Sequence, residues 1–405
     1  MTTYLSTFMR GYIGNYAGLP TICWQGILLV FMESVAIGIC FFLSIYFVSL
    51  LHMNITAASM LISCYGVGTV IGGIAAGKLS DRFSPKIVSV SCLLLQSLSF
   101  LLLTTVESLA VLAGIMLMIG VCSYGFTTSN SVWILNQCKN SPEIQLKAIN
   151  ISRAALNLGL GISGATIGFL GNIGFILLFE FSSFIFLMSS IYLLVCTHDE
   201  NKKSQLESLE SPTHKVTQQR NDKKILFLTL GCLFAIGLII AQLGSTYPIY
   251  IQKIFPERGI QAVSILFVID TIMIILFQVP LLNLLRGFNK LFLVGVGAFL
   301  MGIGMALLTI SYLFAIAIIS CVIWTTGEMI FLATAQFVCY QRGGKNKKGQ
   351  SIGMTQTAAA LSRIMGPTAG GYIYYYFGGN ILWYLSFFIG ILCFTACSYA
   401  KKLYC

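Results

Sequence analysis

Six ionisable side chains lie inside long apolar stretches of this 405-residue sequence, and they are the residues best placed to do chemistry. A charged group inside a lipid bilayer is costly unless it is paired or faces water, so it is usually kept for a function. A carboxyl group there can carry a proton or attract a cation, whereas an arginine must pair with an acid or bind an anion. The acids are Glu33, Glu180, Asp270 and Glu328, and the bases are Arg153 and Arg363.

Other chemistries have little support in the residue pattern. The three histidines, His52, His198 and His214, are scattered, and the sequence shows no nucleophile with an adjacent base and no nucleotide-binding loop. The 13 cysteines include no CxxC pair, which predicts neither a disulfide framework nor a metal cluster. Cys393 and Cys397 share one helix face, which is more typical of packing than of ligation. We therefore predict that the chain is not an enzyme and that it carries no cofactor and no metal.

Membrane-spanning helices must position the six groups. With 57% hydrophobic residues, 9% charged residues and a mean hydropathy of +0.87, the chain cannot be an ordinary soluble domain. A spanning helix needs about 20 apolar residues, and the apolar runs here are continuous, which argues against alternating barrel strands. The runs predict an all-α integral membrane protein with twelve transmembrane helices, at about 22–50, 57–77, 87–106, 108–135, 148–170, 173–197, 225–252, 260–282, 290–311, 313–339, 351–376 and 380–400.

The basic residues predict the orientation of these helices. All but Lys253, Arg258 and Arg363 of the 24 Lys and Arg residues fall on or near one side of the twelve-helix arrangement. Cytoplasmic loops carry the excess of positive charge in membrane proteins, so both termini are predicted to be cytoplasmic. The net charge of +11 then reflects topology, and no basic patch with interleaved aromatic residues indicates nucleic-acid binding.

A long hydrophilic stretch divides the chain near its middle. Residues 198–224 are rich in Asp, Glu, Lys, Gln and Ser, and they predict a solvated cytoplasmic linker. Six predicted helices precede it, in residues 1–197, and six follow it, in residues 225–405. A constant shift lays 163–170 over 366–373, two segments of similar small and apolar residues. The simplest account is two pseudo-symmetric six-helix bundles related by duplication.

The segment 77–86 has the spacing of a recognisable motif. It places Gly77, Asp81, Arg82 and Lys86 between two apolar runs, and we expect a tight cytoplasmic loop with Asp81 near the start of the following helix. This spacing resembles the loop between helices 2 and 3 of major facilitator superfamily transporters. Ser84 stands where the family usually has glycine, and the following residue is Pro rather than basic. The loop is expected to stabilise one closed state of the transporter.

The resemblance ranks the ionisable groups, because helices 1, 4, 7 and 10 line the central cavity in that superfamily. Glu33 and Glu328 rank first as proton-coupling or substrate-binding residues, followed by Asp270. Arg363 is expected to pair with an acid. Arg153 is expected either to extend its charged end to the cytoplasmic surface or to form part of an inner gate with the loop between helices 4 and 5. The polar and aromatic residues expected to line the cavity include Tyr124, Thr127, Asn130, Gln242 and Tyr247. Each of these could instead make an ordinary contact between helices.

The branch of the superfamily is less well marked. The segment 327–329, Gly-Glu-Met, looks like the Gly-Glu pair of several efflux-type sequences. The drug:proton antiporter branch also has a glycine-proline signature in helix 5, and here the glycines are present without a proline. Membership of that branch is therefore plausible.

The resemblance implies a secondary transporter that works by alternating access. We expect proton-coupled export of a small amphipathic organic compound by a monomer in a bacterial inner membrane. The alternative is proton-coupled uptake of an anionic nutrient, with Arg363 holding the substrate carboxylate. A more distant alternative is a membrane receptor that has lost transport.

Overall fold

The structure is a computed structural model that describes residues 19–138, 142–170, 174–196, 219–285, 287–342 and 348–404. Most of the predicted linker, at 198–218, lies outside these residues. The described residues form twelve long helical segments and no β-strand. They are α1 Thr21–Leu50, α2 Ile55–Arg82, α3 Pro85–Leu102, α4 Leu109–Gln137, α5 Pro142–Leu170, α6 Phe175–Cys196, α7 in two pieces (α7a Gln219–Ile240 and α7b Thr246–Ile254), α8 Ile260–Leu284, α9 Lys290–Leu307, α10 Phe314–Arg342, α11 Lys348–Phe377 and α12 Gly379–Tyr404.

Each helix corresponds to one predicted span, so the all-α membrane fold is confirmed. Ten of the segments within the described residues are long and apolar enough to cross a bilayer. The other two, α5 and α11, contain 29 and 30 residues and are long enough but more polar. Large apolar side chains such as Val195, Phe388 and Leu392 are exposed on the outside of the bundle, where lipid would cover them.

The helices alternate in direction, which gives the bundle two ends. We call the end with the α1–α2 connection the Asn54 end, and the end with the α2–α3 connection the Arg82 end. At the Asn54 end, the side chain of Asn54 caps α2 by accepting a hydrogen bond of 2.7 Å from the Ala57 amide. We call helices α1 to α6 the N-terminal half and helices α7 to α12 the C-terminal half.

The predicted loop at 77–86 is shorter than expected. Helix α2 continues to Arg82 and α3 begins at Pro85, so only Phe83 and Ser84 connect them. The stop is set by Pro85, which occupies the first position of α3 and holds Ser84 in an extended conformation. The backbone of Asp81 belongs to the last turn of α2, four residues before α3 begins, and the expected position of its carboxylate near the start of α3 stays a prediction.

Helix α7 is broken in the membrane. A 3-10 turn, Ala241–Gly244, separates its two pieces, and Ser245 at the junction has φ −124° and ψ −89°. Pro248 accounts for the break, because a proline inside a helix cannot donate a hydrogen bond to the carbonyl four residues earlier and also clashes with it. Gln242 holds the break to α11, since its Nε2 donates to the Gly366 carbonyl at 2.8 Å while its Oε1 accepts from Thr246 Oγ1 at 2.9 Å.

The two halves meet along two helix pairs, α2 with α11 and α5 with α8. Small residues allow the close approach: a Cβ placed on Gly164 of α5 would lie 2.8 Å from the Phe267 ring of α8. On the α2–α11 side, the Ser63 and Thr368 hydroxyls lie 2.7 Å apart. These contacts lie in the half of the bundle nearer to the Asn54 end.

Further hydroxyl contacts join the halves towards the Asn54 end. The Ser59 and Ser245 hydroxyls lie 3.1 Å apart, and Ser49 Oγ donates to Gln252 Oε1 at 3.3 Å. The Asn54 end is therefore closed by direct packing of one half on the other.

Candidate functional site

Glu33 lies in the N-terminal half, in the first part of α1, with only 4% of its surface exposed. Ser123 of α4 donates a hydrogen bond of 3.1 Å to its Oε1 atom. The amide of Gln96, fully buried on α3, lies beside the same carboxyl group, and Tyr65 of α2 lies near it. Four helices thus converge on one carboxyl group, which is enclosed and has a polar partner.

Arg363 lies near the middle of α11 and reaches across to the N-terminal half. Its Nη1 atom donates to the Tyr124 hydroxyl of α4 at 2.8 Å, and its guanidinium carbon lies 4.9 Å from the centre of the Tyr124 ring. Its Nε atom is buried without a hydrogen-bond partner. The partner of Arg363 is therefore a phenol in this structure, instead of the acid that the sequence suggested.

Asp270 and Glu328 lie close to each other in the C-terminal half. Asp270 of α8 is 9% exposed, and Thr325 Oγ1 of α10 donates to its Oδ1 atom at 2.7 Å. Glu328 follows Thr325 by three residues and so shares its helix face, where its carboxyl group interacts with that of Asp270. Glu328 is half-buried, and it has no hydrogen-bond partner within the part of the chain that the structure describes.

A cluster of aromatic side chains lies near Asp270. Tyr247 of α7b lies near Asp270, and its ring packs edge-on against Trp324 and Trp383, each at 6.2 Å between ring centres. The Tyr247 hydroxyl is buried without a partner. The C-terminal half therefore places two carboxyl groups and an unpartnered phenol beside one another.

Sequence comparison identifies the family of this twelve-helix bundle. The family model described as Major Facilitator Superfamily matches residues 26–367, which is most of the chain. The chain belongs to the Major Facilitator Superfamily. Membership establishes the protein as a membrane transporter, and the resemblance drawn from the segment 77–86 is confirmed.

Relatives within the Major Facilitator Superfamily are distant. The chain is 22% identical to the uncharacterized MFS-type transporter YqjV of Bacillus subtilis (strain 168), over 86% of this chain and 85% of YqjV. It is 20% identical to multidrug resistance protein 2 of the same organism, over 85% and 86% of the two chains. The crystal structure of the nucleoside transporter NupG superposes with a TM-score of 0.78 at 12% identity, covering 95% of this chain and all (100%) of that one, which shows a shared fold.

The remaining predicted residues of this superfamily member fall into two groups. Asn130 and Gln242 are buried in contacts between helices, and Asn130 Nδ2 donates to the Gly26 carbonyl of α1 at 3.1 Å. Thr127 is exposed and donates to the Ser123 carbonyl of its own helix at 2.9 Å. Arg153 is exposed on α5, and the adjoining loop at 139–141 lies outside the described residues.

The motif residues near the Arg82 end are partly visible. Lys86 Nζ donates to the Leu194 carbonyl at the end of α6 at 3.4 Å, where a cation complements the helix dipole. Arg82 is exposed, and a Cβ added at Gly77 would meet no atom within 4 Å. The side chain of Asp81 is outside the described part of the structure.

Sequence reasoning named the acids but not the polar side chains beside them. Ser123, Gln96 and Thr325 were not singled out, although Ser123 and Thr325 each donate a hydrogen bond to a carboxyl group and Gln96 lies beside that of Glu33. Thr325 could have been found, because it lies one helical turn before Glu328. Ser123 and Gln96 could not, because nothing in the sequence states how α3 and α4 are rotated relative to α1.

Proposed function

We propose that this superfamily member exports a small amphipathic organic compound in exchange for protons, by alternating access. The observation that carries the proposal is the carboxyl pair, Asp270 and Glu328, in the membrane interior of the C-terminal half. Two neighbouring carboxylates repel each other in an apolar setting, and a proton on one of them relieves the repulsion. A conformational change that alters access to water can then load or unload that proton.

Glu328 is the member of the pair that we assign to the proton. Asp270 already accepts a hydrogen bond from Thr325, whereas Glu328 accepts none from the residues that the structure describes and is only half-buried. A group that must exchange protons with water needs such access. Glu33 is a second candidate, but its carboxyl group is enclosed and held by Ser123.

The packing of the two halves supports alternating access. Contacts that close the Asn54 end join hydroxyl groups of α2 to those of α7 and α11. The basic residues of the described chain cluster at the other end, as in Arg82, Lys224 and Arg342, which the positive-inside rule places in the cytoplasm. On that orientation both termini are cytoplasmic, and the structure represents a state closed to the outside.

The substrate class follows from the neighbourhood of the acids and from the relatives. Tyr124 provides an aromatic surface beside the charged group of Arg363, which suits an amphipathic organic molecule. Two of the Bacillus subtilis relatives, at 20% and 23% identity, carry the name multidrug resistance protein. We therefore propose that the protein acts in efflux in a bacterial inner membrane, and we propose that it acts as a monomer.

Proton flux in proteoliposomes tests the proposal. The purified protein would be reconstituted with a pH-sensitive dye inside the vesicles and challenged with cationic and anionic amphipathic compounds. We expect compound-dependent proton movement in the parent and its loss in Glu328→Gln and Asp270→Asn. Labelled compound on both sides of the membrane would report the direction of transport, so accumulation in the uptake direction would replace export by uptake.

Glu180→Gln is the matched control, because Glu180 also lies in a membrane helix but is exposed on the outside of α6. It should retain the flux of the parent. Proton movement that survives in both C-terminal variants but disappears in Glu33→Gln would transfer the coupling role to Glu33. A parent that moves no protons with any compound would overturn the proposal.

A further inference from the structure

We infer that the transported compound carries an anionic group, such as a carboxylate, which Arg363 binds. This inference rests on the proposed function, because it names the substrate class of the same transport site. Arg363 is a charged side chain near the middle of a membrane helix, but its hydrogen-bond partner in the structure is the neutral hydroxyl group of Tyr124. A cation in that position requires an opposite charge or water.

The acids that the structure describes do not supply that charge. Arg363 makes no ion pair with any residue that the structure describes. The carboxyl group of Glu33 is occupied by Ser123, and that of Asp270 by Thr325. Glu328 interacts with Asp270 in its own half of the bundle.

The guanidinium group also has unused donors. An arginine offers five N–H groups in a planar fork, and the one hydrogen bond of Arg363 within the described chain is made by Nη1 to Tyr124. Its Nε atom is buried without a partner. A carboxylate commonly takes two parallel hydrogen bonds from such a fork, so an anionic group would satisfy the donors that the protein leaves unused.

Tyr124 completes the site. Its hydroxyl accepts from Arg363, which leaves the phenolic hydrogen free to donate to the same anion. Its ring, 4.9 Å from the guanidinium carbon, supplies an apolar face for the adjoining part of an amphipathic molecule. Because Arg363 belongs to the C-terminal half and Tyr124 to the N-terminal half, a bound anion would contact both halves at once.

The backbone of α11 is held firmly at this point. A Cβ on Gly66 of α2 would lie 2.6 Å from the Arg363 carbonyl oxygen, so the two helices touch backbone to backbone. One turn on, Ser63 Oγ accepts from the Thr368 amide at 3.2 Å. The guanidinium group therefore extends from a fixed Cα position, as a binding residue should.

A charge-matched compound series tests the inference in proteoliposomes. The series would contain three sets of compounds, built on a phenyl, a naphthyl or a decyl group. Within each set the compounds would be of similar size and would differ in carrying a carboxylate, a carboxamide or an ammonium group. We expect the parent to transport the carboxylates faster than the matching amides and ammonium compounds. We expect Arg363→Gln to lose carboxylate transport by about tenfold or more, and Arg363→Lys to lose less, because a lysine keeps the charge without the fork.

Arg258→Gln is the matched control. Arg258 also stacks on an aromatic ring, 4.7 Å from the centre of Phe314, but it is exposed in the α7–α8 connection. This variant should transport carboxylates as the parent does. The comparison of carboxylates with amides needs only the parent protein. It therefore still decides whether the transported compound is anionic if Arg363→Gln does not fold.

Four results would overturn the inference. The first is a parent that prefers the amides or the ammonium compounds. The second is carboxylate transport that is unchanged in a folded Arg363→Gln variant. The third is a parent that couples protons to other compounds but to no carboxylate, which would leave the proposed function intact. The fourth is a parent that moves none of the compounds, which would overturn both this inference and the proposed function.

Discussion

The two halves of the bundle hold their buried acids in different ways. In the N-terminal half a single carboxyl group, that of Glu33, is enclosed by four helices and bonded by Ser123. In the C-terminal half two carboxyl groups interact, and among the described residues a hydrogen-bond donor, Thr325, is found for Asp270 alone. A satisfied carboxyl group stabilises one arrangement of its helices, whereas an unsatisfied pair changes its interaction energy when a proton arrives. The comparison suggests that the C-terminal half is the one that responds to protons.

The largest expected effect separates the two halves directly. Replacing Glu328 by Gln should reduce proton-driven net transport roughly 100-fold but preserve exchange of labelled for unlabelled compound, because exchange needs no net proton movement. Replacing Glu33 by Gln should reduce both rates by less than roughly tenfold. Parallel measurements of net transport and exchange in proteoliposomes would check this, and equal losses in the two variants would break the comparison.

A second prediction concerns the glycine beside each site. A Cβ on Gly327 would lie 2.6 Å from the Met301 amide nitrogen, and one on Gly120 would overlap the Tyr65 carbonyl oxygen. Both Gly→Ala changes should lower the free energy of unfolding by about 1–3 kcal/mol, because backbone atoms yield little. Only Gly327→Ala should also impair proton coupling, since it displaces the adjacent Glu328.

Thermal unfolding in detergent, read together with proton flux, measures both effects of the glycine changes. Gly231→Ala in α7a is the control, because a Cβ there would meet no atom within 4 Å. Impaired coupling in a well-folded Gly120→Ala variant would show that the N-terminal half also carries protons.

The hydrogen-bond donors give a smaller effect. Ser123→Ala should lower the free energy of unfolding by about 1 kcal/mol, which is typical of a hydrogen bond inside a membrane protein, and leave coupling largely intact. Thr325→Val should have a similar effect on stability but alter the rate of coupled transport, because it changes the carboxyl pair. Unfolding and flux measured on both variants would sharpen the comparison, and a coupling defect confined to Ser123→Ala would reverse it.

The smallest effect is expected outside both sites. Gly77→Ala should change the free energy of unfolding by less than about 1 kcal/mol, and in the stabilising direction, because Gly77 lies inside α2 with open space around it. A strong loss of stability would contradict this prediction, because it would mean that the added methyl group meets a neighbouring atom although the structure shows open space around Gly77. Thermal unfolding of the Gly77→Ala variant, measured beside that of the parent, checks this prediction.

Much of the fold follows from the sequence for a simple physical reason. Each apolar run is long enough to cross a bilayer, and the backbone inside a bilayer has to be helical or in a closed barrel. The end of α2 was harder to predict from the sequence. Gly77 and Asp81 are residue types common in turns, but α2 continues past both and stops shortly before Pro85. The break in α7 was missed in the predicted span 225–252, despite the presence of Pro248.

The site was predictable only in part. The acids stand out as charges in apolar runs, but the proximity of Asp270 to Glu328 depends on how α8 and α10 are rotated, which the sequence does not state. The partner of Arg363 was expected to be an acid, because that rule considers charge alone. The structure supplies Tyr124 from the opposite half, and such a contact depends on how the two halves dock.

The chemistry of the closed Asn54 end has a consequence for the energetics of opening. Three contacts that close this end join neutral groups: Ser49 with Gln252, Ser59 with Ser245, and Ser63 with Thr368. Separating neutral groups moves no charge through the electric field and breaks no attraction that dissolved ions could screen. Opening of these contacts should therefore respond little to ionic strength or to membrane potential. Voltage would act on transport through Arg363, the carboxyl groups and the compound itself.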